Sequence, residues 1–178
     1  MMIIRKKNGF ALIDLIFTIG IIGVLCTIAL PRLLLAKQSA GASSAIGSMR
    51  AINSAQLTFA LTCGAGFYAP SLTRLGTLPI GSNAAFLTAS LTSADTVDRS
   101  NYTIQMSATP FPGAPGSCNG LAVGAAGAAF KAAADPDDPA NNTRYFATNA
   151  NGMIFEDTAT LFAAMPEVGE PAVGHVLK

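Results

Sequence analysis

Between Lys7 and Arg32 the chain carries one charge, Asp14, in a run dominated by Leu, Ile, Phe and Val. That run constrains the fold more than any other stretch. Residues 10–31 number 22, and at helical rise they reach about 33 Å, enough to cross a hydrocarbon layer of about 30 Å. A core helix of a soluble domain would show a polar face, and this run has none. Arg5, Lys6 and Lys7 stand immediately before it. Cations on that side keep the N-terminus cytoplasmic and send the remainder of the chain across.

Asp14 is the anomaly. A carboxylate inside an apolar span costs free energy and marks a functional position. A secretory signal peptide does not account for the pattern. It would be shorter and would end in a small-x-small cleavage site, whereas this run ends in Leu30-Pro31-Arg32-Leu33-Leu34-Leu35. A plain anchor explains the oil and the cations but not the acid. A cut before the apolar run, at Gly9-Phe10, would keep the oil in the mature chain.

Basic residues, then Gly9, Phe10 and Asp14, then unbroken apolar sequence resemble the class III signal of type IV prepilins and type II secretion pseudopilins. The resemblance is specific over residues 5–40. It implies that a prepilin peptidase cuts after Gly9 and methylates the new terminus at Phe10. It also implies that Asp14 pairs with the N-terminal amine of a neighbouring subunit during assembly. The family's usual acid is Glu, so Asp14 shortens the reach by one methylene. Pro31 falls where the family carries a helix-bending proline.

The implied fold class is α+β: a long N-terminal helix, membrane-embedded in its first half, packed on a small antiparallel β-sheet head. The implied organisation is a leader at 1–9, a transmembrane and assembly helix at 10–31, its amphipathic continuation at 32–63, and a head with an αβ-loop, sheet and tail at 64–178. The implied function is that of a structural subunit of a type IV pilus or pilus-like filament. The implied location is a bacterial inner membrane, single pass, with a periplasmic head, and then an extracellular or periplasmic filament. Implied partners are identical or homologous pilin subunits, the peptidase/methylase, an inner-membrane assembly platform and lipid. Three rivals stand beside this reading: a pseudopilin of a short periplasmic secretion filament, an anchored binding domain that never polymerises, and an exported enzyme on an anchor.

Charge supports a structural role. Without residues 1–9 the chain has eight cations against ten acids, no basic patch for nucleic acid, and abundant Ala, Gly, Ser and Thr. Of three cysteines, Cys26 lies in the apolar run as a small packing residue. Cys63 and Cys118 fall in the exported part and are a disulfide candidate if the compartment is oxidising; two buried thiols are the alternative. No catalytic set, metal site or cofactor motif is visible. The single histidine, His175, is near the C-terminus, and the Gly120–Gly127 glycines do not follow a strand as a phosphate loop requires. Asp135, Asp137 and Asp138 read as a solvated proline turn rather than a calcium loop. Two N-x-Thr patterns, at Asn101 and Asn141, occur at chance frequency.

Beyond Pro31 the helix should continue to Cys63-Gly64, with Ile46, Met49, Ile52 and Phe59 as the stripe on which the head docks. Residues 64–81 read as a loop and Ala84–Ser93 as a short helix. Tyr102–Ala108 alternates as a half-buried strand, and a weaker strand is expected at Ala128–Ala134. Arg144–Thr148 and Gly152–Glu156 form the clearest hairpin around Asn149-Ala150-Asn151-Gly152. The tail from Thr158 reads as a helical turn followed by a mobile Pro/Gly segment.

Overall fold

The structure, a computed structural model, describes residues 10–177, with side chains from Leu12 onward. The expected leader, with Gly9 as its cleavage glycine, lies outside the described residues. The chain divides into two compact units, 1–39 and 40–178.

A single helix, α1, runs from Phe10 to Thr62 and contains Pro31. Proline removes one backbone donor and crowds the preceding turn, yet helix continues on both sides of it. In the first unit every described side chain from Leu12 to Lys37 is exposed. The helix is long and apolar enough to cross a membrane, with a mean hydropathy of 2.4 in its richest window.

The second unit is α+β. Along its part of α1 the apolar residues in the core are Ala42, Ala45, Met49, Ile52, Ala55 and Phe59, with Cys63 directly after the helix. They recur every three or four positions, which puts them on one helical face. The predicted docking stripe is therefore wider than four residues and is filled out by alanines. Ile46 sits at its edge, partly buried.

That face shares one core with a six-stranded antiparallel sheet whose strands lie in sequence order. The strands are β1 (Thr96–Arg99), β2 (Tyr102–Ser107), β3 (Lys131–Pro136), β4 (Tyr145–Asn149), β5 (Ile154–Asp157) and β6 (His175–Val176). Tyr102, Ile104 and Met106 alternate inward from β2. Ala132 and Ala134 of β3 and Phe146 of β4 complete the inner face. The opposite face carries Ala133, Ala147 and Phe155, covered by Leu161 and Met165 from the chain after β5.

Several expectations need correction. Residues 64–81 are not all loop: α2 (Leu72–Gly76) buries Leu72 and Leu75 in the core. The helix expected at Ala84–Ser93 shrinks to α3 (Ala89–Thr92), which buries Leu91 and starts after Thr88 without a side-chain cap. β3 starts at Lys131 and runs on to Pro136, so the Asp-Pro run ends the strand two residues later than expected. The tail is tied down. Val176 pairs with Phe155 and His175 with Glu156, and the Leu177 amide donates to the Ile154 carbonyl at 2.8 Å.

The β1–β2 turn shows how closely this unit is fitted. Ser100 and Asn101 have φ of 54° and 65°, the left-handed pair that a two-residue hairpin needs. The turn rests on α1, where the Ser44 hydroxyl donates to Ser100 Oγ at 2.9 Å. A Cβ on Gly41 would lie 2.8 Å from the Ser100 carbonyl oxygen, so a glycine is needed there for the approach.

Candidate functional site

In the first unit the exposed apolar surface is continuous. Leu12 and Ile13 are each 71% exposed, and Phe17, Ile28 and Leu33 are each 66% exposed. The polar groups on this stretch look after themselves. Thr18 donates its hydroxyl to the Leu15 carbonyl at 2.8 Å and Thr27 to the Val24 carbonyl at 2.7 Å. Such local bonds let a hydroxyl sit in oil without an unmet donor. Asp14 is the exception. It is exposed, five residues into α1, and α1 has no acid in its first turn. The helix dipole acts within the first turn, so it does little for Asp14, and a cationic partner is the stronger source of stabilisation.

Gly20 and Gly23 have nothing within 4 Å of a built Cβ. Around Gly20 the helix surface has a shallow, open apolar concavity bordered by Ile16, Phe17, Ile21, Val24 and Leu25. Small residues of this kind let a second helix approach closely in lipid. Cys26 is an exposed free thiol.

In the second unit Cys63 and Cys118 are joined by a disulfide, with Cα atoms 4.9 Å apart across 55 positions of sequence. The Cys118 amide also donates to the Cys63 carbonyl at 3.2 Å. The bridge holds the end of α1 against the loop between β2 and β3.

The three acids of the proline turn do not converge. Asp137 Oδ1 and Asp98 Oδ1 each lie 2.9 Å from the Thr103 hydroxyl. Asp138 accepts from Asn141 Nδ2 at 2.7 Å. Among the described residues no three His, Cys, Asp or Glu side chains gather as metal ligands would. His175 is exposed on β6, opposite Glu156. Glu156 in turn pairs with Arg144 at 2.5 and 3.1 Å. The Arg144 hydrogen bond holds the Glu156 carboxyl below the ordinary range.

Asp135 behaves oppositely. Its Oδ2 accepts from the Thr160 hydroxyl at 2.6 Å, while its Oδ1 is buried without a partner among the described residues. Burial pushes its pKa above 3.8, against the smaller pull of Thr160. The folded state therefore holds this proton more tightly than the unfolded chain does. Stability from this group falls as pH rises through the raised pKa and is regained as pH drops toward 3.8. The difference in Tm between the parent and Asp135→Asn should shift in favour of the parent between about pH 7 and about pH 4. Thermal unfolding of both chains across that range checks it, and a constant difference would remove Asp135 as the source.

Sequence reasoning missed the polar groups that fasten α1 to the rest. Gln56 is fully buried. Gln56 Nε2 donates to the Ala69 carbonyl at 2.8 Å and Gln56 Oε1 accepts from the Ala69 amide at 2.9 Å. Asn53 Nδ2 donates to Thr148 Oγ1 at 2.8 Å. The only signal available was a Gln on the apolar stripe three positions before Phe59.

No protein-family model matches the chain, and no curated protein or solved structure matches it.

Proposed function

We propose that this chain is a structural subunit of a type IV pilus or pilus-like filament, anchored in a bacterial inner membrane before assembly. The observation that carries the reading is the first half of α1: wholly exposed, apolar on all sides, and bearing the lone carboxylate of Asp14. A surface like this is stable only in lipid or against other helices. The concavity at Gly20 suits helix-to-helix contact. The head supplies a cross-linked unit that survives outside the cell.

In the filament, Asp14 pairs with the Phe10 amine of the adjacent subunit. A charge pair in an apolar core fixes register more than it adds stability, and loss of one partner leaves a buried charge. Pro31 takes the family's place for a bend between the oily and exported halves. Exposed small neighbours such as Ser43 and Gly47 face outward on α1 and would lie near subunit contacts.

The test is the mature chain's N-terminal peptide from cells holding the peptidase and assembly apparatus. It should begin at Phe10 and carry one added methyl group. Residues 1–9 still attached would overturn the reading. Asp14→Ala should be processed normally yet enter filaments about a hundredfold less, the effect of an unpaired buried amine. Equal incorporation in sheared-filament preparations would remove the register role.

A further inference from the structure

The second unit holds an open cavity of about 360 Å³ between α1 and the β4–β5 turn. That size lies in the range of small-molecule sites. One wall is apolar. Leu57 reaches into it, 55% exposed, beside the rings of Tyr68 and Phe130, whose centroids are 5.1 Å apart. The other wall is the turn carrying Asn151. Among the described residues no charged side chain lines the cavity.

Three polar groups are left over. Asn151 Oδ1 accepts from the Gly169 amide at 2.8 Å, and its Nδ2 has no partner among the described residues. The Tyr68 and Ser54 hydroxyls make no side-chain hydrogen bond among the described residues. The walls that carry them are fixed. Asn53 Nδ2 donates to the Gly152 carbonyl at 3.2 Å, and Asn149 Nδ2 donates to the Pro166 and Gly169 carbonyls at 3.0 and 2.6 Å. A site held by its own bonds does not spend binding energy on ordering itself.

We propose that this cavity binds a neutral, polyhydroxylated ring, one or two sugar units in size. The C–H face of the ring packs on Leu57 and the Tyr68 ring, and its hydroxyls meet Tyr68 Oη, Ser54 Oγ and Asn151 Nδ2. A charged ligand would find no countercharge here. A purely apolar one would cover three polar groups and leave them unpaired. The volume exceeds a single hexose and admits a disaccharide.

The experiment uses the full chain in a detergent without a sugar headgroup. Glucose, galactose, N-acetylglucosamine and their disaccharides are offered, with glucuronate as a charged control. Saturation-transfer NMR should show contact at the C–H face of at least one neutral sugar and none for glucuronate. Tyr68→Phe keeps the ring and loses the hydroxyl, so it should weaken binding by about three- to tenfold. Leu57→Asp should abolish binding. No transfer to any neutral sugar at millimolar concentration overturns the proposal, as does transfer unchanged in both variants. It is also overturned if sugars do not bind and Leu57→Asp disperses a self-associated form in sedimentation, because the occupant is then a second copy.

Discussion

Replacing Cys63 and Cys118 together by alanine should lower the stability of the second unit by about 4 kcal/mol, the chain-entropy value for a loop of this length. The two residues are separated by 55 positions and enclose α2, α3, β1 and β2. Opening that loop frees the unfolded chain more than it disturbs the folded one. For a unit of this size the loss corresponds to a Tm lower by about 10–15 °C. The comparison belongs in a Cys26→Ala background, so that the exposed thiol cannot exchange with the pair. Thermal unfolding of the full chain in micelles gives the answer. A Tm within about 2 °C of the parent would mean that the unfolded chain is already constrained there.

Gln56→Leu should cost about 2–6 kcal/mol. Gln56 is fully buried, and so is Ala69, whose amide and carbonyl it satisfies together. Leucine has similar bulk but neither donor nor acceptor. It leaves two buried backbone groups unpaired, at about 1–3 kcal/mol each. Gln56 Nε2 also lies 3.2 Å from the Met106 sulfur, so the change reaches β2. Thr58→Ala serves as a control: its hydroxyl bonds the Ser54 carbonyl on the exposed side of α1, and its loss should be near zero. Urea unfolding of the three chains separates the cases, and equal midpoints for Gln56→Leu and the parent would sink the argument.

What the sequence discloses and what it hides divides along physical lines. Met49, Ile52 and Phe59 announce a helix face because they are large and spaced at helical period. Alternation from Tyr102 to Ser107 announces a strand, and Asn151-Gly152 announces a turn, where Gly152 takes φ of 76°. β1 and β6 stay hidden. Thr96–Arg99 has one buried residue, Val97, and His175–Val176 has none. Their strand character comes from the neighbour they pair with and not from their own pattern. α2 hides for the same reason, since five residues with two leucines carry too little periodicity. The alanines at 132–134 are poor strand formers. They are held as a strand because both faces of the sheet there are covered, from within by α1's core and from outside by Leu161 and Met165.

In the candidate site, Asp14 is readable because a charge stands out against oil. The cavity beside Leu57 is not, because Ser54, Tyr68, Phe130 and Asn151 come from four separate stretches of chain.

A sheet whose strands neighbour one another in sequence order has a bearing on biosynthesis. Each new strand leaving the ribosome finds its partner already laid down beside it, so the ribbon can grow by short-range steps in the direction of synthesis. Only a few closures must wait, notably Asn53 meeting Thr148 across 95 positions. Premature contact between half-made copies is then limited to the interval before β4 and β5 arrive to cover the alanine-lined middle of the ribbon.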